Sequence, residues 1–178
     1  MRSYPSSSNS RAMSPNPEAP HIKSSPGVAF ISGPIDTGPD SIYFKTHYIP
    51  LINNAITAGH NFVIGPIPGV DANALDYLLS YPISPTRITI FMTPGENHAW
   101  GDEFRRRGVN THVLEDLTAT TRMRDAEMTR MSDYDILRCR TEEEAREFYG
   151  KMYRSGYLTN TERNWRRRRG IDETAVLG

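Results

Sequence analysis

The chain carries a single cysteine, Cys139, among its 178 residues. One thiol forms no internal disulfide and supplies no cysteine-rich zinc site. Long apolar runs are missing too. None approaches the roughly 18 residues that a membrane helix needs, so no transmembrane helix is predicted. Net charge is absent: lysine plus arginine total 21, and aspartate plus glutamate total 21. That balance argues against a generic polyanion binder but leaves local patches open. Hydrophobic residues are few, at 37%, and mean hydropathy is −0.57. There is no long internal repeat, which excludes a solenoid. The length suits one domain.

The charge and the apolar residues are unevenly spread. Residues 1–26 hold five prolines and eight serines with almost no aliphatic residues. Such a stretch buries too little surface to offset the entropy of ordering, so a disordered tail is expected there. A flexible end is expected over 171–178. Between them, residues 27–170 alternate strand and helix patterns. Val28 to Gly33, Asn61 to Gly65 and Arg87 to Met92 are short apolar runs, the first two ended by Gly-Pro. Thr111 to Leu114 is a weaker strand and Tyr134 to Cys139 a fifth. Helical spacing covers 41–58, with Pro50 expected to kink it or start a second helix. Further helices are expected at 70–79, 119–132, 141–152 and 160–169, with Met123, Met128 and Met131 as core contacts. Residues 93–101 read as a polar loop.

This alternation predicts an α/β fold, with a mainly parallel sheet of about five strands covered on both faces. Right-handed crossovers make it a Rossmann-like three-layer sandwich. Ligands of such sheets bind outside the carboxyl ends of the strands. The residues just after each strand therefore carry the functional information.

After the first strand, Ser32, Gly33, Asp36 and Thr37 offer a close-approach backbone and polar groups. The spacing is not G-x-G-x-x-G, so the dinucleotide fingerprint is absent. After the second, Gly65 and Gly69 lead into a helix whose free N–H groups suit an anion. Asp71 there either binds a ribose hydroxyl or caps the helix, capping being the commoner use. The loop itself has no lysine followed by serine or threonine, so it is not a P-loop. After the third, Trp100 either stacks on a base or covers the core edge. His98 has no second histidine at ligand spacing, and neither a metal nor a cofactor is expected. Arg124 and Asp125 either face the crevice or form a solvated ion-paired helix face. Thr159 with Glu162 has capping-box spacing, and that helix start also suits a phosphate. The block 163–169 holds five arginines. It binds nucleic acid, acts as a nuclear address, or is solvated.

Taken together, the motifs have a family likeness. They run Phe30-Ile31-Ser32-Gly33, His47-Tyr48-x-Pro50, Phe62-Val63-x-Gly65 and Gly69-Val70-Asp71-x-x-Ala74-x-x-Tyr77-Leu78. This order resembles the SLOG superfamily of Rossmann-like domains, related to DNA-processing protein A and to LOG-type phosphoribohydrolases. Arg124-Asp125-Ala126-x-Met128-Thr129 and the terminal Thr161, Asn164, Arg167 and Arg168 extend the resemblance, which covers roughly 28–170. Ile31 to Ile35 with Gly59-His60 is also similar to nucleoside 2-deoxyribosyltransferase-like proteins. The resemblance implies a pocket for a nucleotide or nucleoside derivative, lined by Ser32, Gly33, Gly65, Gly69 and Asp71, with Thr161 near a phosphate. It also implies self-association into a homo-oligomer. The Pro-Gly-Gly-x-Gly-Thr-x-x-Glu signature of the phosphoribohydrolases is missing, and Glu162 is the one residue placed like the deoxyribosyltransferase nucleophile.

Three readings follow. The first is a cytoplasmic nucleotide-binding domain that cleaves or transfers an N-ribosyl bond, with Glu162 as the catalytic carboxylate and Asp36 or Asp71 on ribose hydroxyls. The second is a non-catalytic nucleotide sensor or scaffold. The third, ranked last for want of basic excess, uses the arginine block on RNA or DNA.

Overall fold

A computed structural model describes residues 25–172. The expected disordered tail and flexible end lie almost wholly outside the described residues.

The first strand, β1 (Val28–Ser32), is buried on both faces. Two helices follow, α1 (Ile42–His47) and α2 (Ile49–Thr57). Pro50 sits in the first turn of α2, where its missing N–H leaves no bond unmade. Tyr48 joins the two helices and keeps a roughly helical backbone, so the expected break is a kink. The chain continues through β2 (Asn61–Ile64), α3 (Val70–Ser80) and β3 (Ile88–Met92). Next come α4 (Pro94–Arg106), β4 (Asn110–Val113), α5 (Thr121–Arg130) and β5 (Tyr134–Leu137). The last helices are α6 (Glu142–Tyr149) and α7 (Asn160–Arg168).

The strands form one parallel sheet in the order β4-β3-β2-β1-β5. Alternate strand residues divide between two cores, as the strand period requires. Ala29, Ile31, Phe62, Ile64, Ile88, Ile90 and Met92 pack with Phe44, Tyr48, Ile52, Val70, Leu78 and Phe104 from α1 to α4. Phe30, Val63 and Phe91 on the other face pack with Met128 of α5. Helix α7 covers that face beside β5 and α5. The fold is therefore α/β, a Rossmann-like three-layer sandwich. Three successive crossovers run from β1 to β4, and the chain then returns to place β5 on the other side of β1. The topological switch point thus lies between β1 and β5.

Two expectations are corrected. Residues 94–106 are a helix, not a polar loop. Thr93 caps it by accepting from the Glu96 N–H at 3.2 Å, and the Glu96 carboxylate returns to the Thr93 N–H at 2.8 Å. This reciprocal box, with Pro94 opening the first turn, starts the helix where Thr-Pro-Gly reads locally as a turn. In α5 only Met128 among the three methionines is core; Met123 and Met131 are 42% and 44% exposed. The inward side of α5 instead carries Arg124, Asp125, Met128 and Thr129.

Candidate functional site

The loops after β1 and β2 are pressed together. The Val70 N–H donates to the Pro34 carbonyl at 3.1 Å. Gly69 has φ +89°, and a Cβ there would lie 2.2 Å from the Ile35 carbonyl oxygen. A Cβ on Gly33 would lie 2.5 Å from both the Tyr48 hydroxyl and Val70 Cγ2, and one on Gly65 2.6 Å from Asp71 Oδ2. Protein atoms therefore account for the missing side chain at all three glycines.

A buried polar network runs across the carboxyl ends of the strands. It starts at Glu96 on α4, whose Oε2 caps its own helix and whose Oε1 accepts from Arg124 Nη1. The Arg124 guanidinium also donates to Asp125 Oδ1, from Nε at 3.1 Å and Nη2 at 2.8 Å. Asn164 on α7 donates through Nδ2 to Ser32 Oγ at 2.9 Å and reaches Asp125 Oδ2 at 3.4 Å. Its Oδ1 accepts from Arg167 at 2.8 Å. Asp71 borders the network and accepts from the Gly65 N–H. Burial pushes the Asp71 carboxyl well above the usual carboxylate range, while the Arg124 charge pulls it down.

Next to this network is a cleft of about 250 Å³ between the starts of α5 and α7. Thr121, Arg122 and Asp125 line it from α5, and Asn160, Arg163, Asn164 and Arg167 from α7. It adjoins the end of β1 through the Asn164–Ser32 bond, so it sits by the switch point. Three arginines face one aspartate, and that aspartate is already bonded to Arg124. The lining side chains of the cleft are all polar, and both helix starts border it.

Of the residues singled out from sequence, Ser32, Gly65, Asp71, Arg124 and Asp125 converge on the network. Asp36 does not: it is exposed, and its carboxylate accepts from the Gly38 N–H at 2.8 Å in a local turn. Gly33 and Gly69 serve loop packing, and Thr161 is buried in the first turn of α7. Glu162 makes half a capping box: Thr159 accepts from its N–H at 3.2 Å. Its carboxylate instead accepts from Arg166 Nη2 at 3.0 Å, one turn on. It is not among the cleft residues. Burial raises the nearby Cys139 thiol, and the Glu162 charge adds to that, so this cysteine is no activated nucleophile.

Sequence reasoning passed over Glu96, Asn160, Arg163 and Arg167 as site residues. The Thr93-x-x-Glu96 spacing is a usable signal for the first. The others share one side of α7 at i, i+3 and i+7, a pattern hidden inside a block of arginines. Among the described residues, no group of His, Cys, Asp or Glu is placed to hold a metal ion, and no helix is long and apolar enough to cross a membrane. The chain matches no protein-family model, no curated protein and no solved structure.

Proposed function

We propose that this chain is a nucleotide- or nucleoside-derivative-binding domain, of the kind its strand-end motifs resemble. The observation that carries this reading is the Asp125 carboxylate in the cleft. Its Oδ1 is held by two Arg124 nitrogens, and its Oδ2 meets Asn164 only at 3.4 Å. That oxygen keeps acceptor capacity in a polar cleft, which suits a sugar hydroxyl.

A thermal-shift screen with nucleosides, nucleoside monophosphates and NAD tests the reading, since a bound ligand stabilises by mass action. Asp125→Asn should weaken the response at least about tenfold, the scale of a hydrogen bond to a charged group. No stabilisation by any of these compounds sinks the proposal.

Cleavage of an N-ribosyl bond would need a carboxylate beside the anomeric carbon. Glu162, the candidate from resemblance, is bonded to Arg166 and stands outside the cleft lining. That observation favours the sensor over the enzyme. Stabilisation without released base, unchanged in Glu162→Gln, is the outcome expected. Released base at stoichiometric enzyme, lost in Glu162→Gln, would restore the catalytic reading.

A further inference from the structure

We propose that the segment joining β5 to α7 is the docking surface for a second copy of this chain, an inference that stands apart from the nucleoside-derivative reading. In α6 the apolar side chains Ala145, Phe148 and Tyr149 fall at i, i+3 and i+4, the spacing of a core-facing stripe. Yet α6 buries none of its residues. The chain beyond it adds Met152, 79% exposed, and Tyr157, 65% exposed. The patch continues onto the body of the domain. The Arg140 guanidinium lies 3.9 Å from the Phe148 ring centre and 4.6 Å from that of Tyr43, and it donates to the Asp36 carbonyl at 2.9 Å. Ile35 and Ile42, next to Asp36 and Tyr43 in the chain, are exposed as well. Single apolar side chains on a surface need no partner, but a contiguous patch of them marks an interaction site.

Charge identifies the occupant. Glu142 and Glu144 are taken up within the chain, by Arg146 and Arg138. The exposed side chains of Glu143, Glu147, Lys151 and Arg154 make no ion pair among the described residues. Two open acids therefore precede Phe148 and two open bases follow it. A two-fold axis near Phe148 reverses that order in the partner. The acids of each copy then meet the bases of the other, and the apolar side chains close between them. A partner of one charge sign would instead set two of the four against like charge. The segment leads directly into Thr159, the cap of α7, so pairing would steady one wall of the cleft.

The test is sedimentation of the full chain from about 1 to about 200 μM, spanning the weak end of what specific interfaces reach. The wild type should pass from monomer to dimer within that range. Phe148→Ser with Met152→Ser should weaken association at least about tenfold, and because both side chains are exposed the unfolding midpoint should hold. A pair of charge variants tests the reciprocal geometry. Glu143→Lys with Glu147→Lys leaves only bases at the four positions, and Lys151→Glu with Arg154→Glu leaves only acids. Each variant alone should self-associate at least about tenfold more weakly than wild type, and an equimolar mixture of the two should form a heterodimer. A wild type that stays monomeric throughout overturns the proposal. So does a dimer that survives Phe148→Ser with Met152→Ser, since the contact then lies elsewhere. A mixture of the charge variants that associates no better than either alone also overturns it, because the two-fold pairing of acids with bases would then be absent.

Discussion

Asp71 shows how one position can be read two ways until its neighbours are known. It stands in the first turn of α3, where an acid usually caps or favours the helix dipole. Here its carboxyl is wedged against Gly65 and lies in the field of Arg124, Asp125 and Glu96. Burial dominates and raises its pKa well above the ordinary value of about 3.9. The sign of the pH effect follows. Below about pH 4 both folded and unfolded chains hold this proton. As pH rises from there to the raised folded value, the unfolded chain loses the proton and the folded chain keeps it. The folded state then binds more protons, so stability falls as pH rises through that window. Asp71→Asn should flatten that slope, gaining stability relative to wild type above about pH 4 and not below it. Urea unfolding midpoints across pH measure this; an unchanged slope would contradict the assignment.

At the scale of an element, α7 decides what its arginines are for. Consecutive residues turn about 100° apart on a helix, so one run of arginine is dealt to several environments. Arg166 points inward, 1% exposed, and pairs with Glu162. Arg168 pairs with Asp135 on β5 and donates to the Thr129 and Ser132 carbonyls at 2.8 Å each. It fastens α7 to the end of α5 and to the sheet. Arg163 and Arg167 face the cleft, and Arg169 lies over the Trp165 ring at 4.2 Å. The block is thus not a uniform basic face, and a nucleic-acid surface built on it would have to give up two structural cations. Arg168→Ala leaves Asp135 buried without its cation and should cost about 3 kcal/mol or more. Arg169→Ala, at the exposed end, should cost under about 0.5 kcal/mol. Chemical denaturation of the two variants side by side checks the contrast.

At the scale of the whole molecule, the polar network links the layers. Glu96 belongs to α4 on one face of the sheet, and Arg124 to α5 on the other. Their bond passes over the carboxyl edge of the strands, and Asn164 carries the connection on to β1 and α7. Arg124 is 4% exposed, so its removal strands two buried carboxylates. Arg124→Met should lower stability by about 3–5 kcal/mol in a single cooperative transition. A second Glu96→Gln change should recover part of the loss, because the residues share one network. Additive losses in the double variant would show that the network does not couple the layers.

The sheet was legible in the chain because strands buried on both faces are continuous apolar runs, as Phe30-Ile31 and Phe62-Val63-Ile64 are. The α1–α2 kink was legible from Pro50 and the α7 start from Thr159, since proline geometry and caps are local effects. Helix α4 was missed because Thr93-Pro94-Gly95 satisfies turn chemistry as well as a helix start. Arg124 and Asp125 could be picked out but not interpreted: the same charges describe a solvated helix face or a buried network. What separates these is Glu96, 28 residues away, and Asn164, 39 residues beyond Asp125. The Asn164–Ser32 bond spans 132 residues. Local sequence sets backbone propensity and which faces are apolar, and that determined the parallel sandwich with its helices. Which polar side chains meet across its carboxyl edge depends on chain crossings that bring distant residues together, so only the tertiary structure decided the cleft.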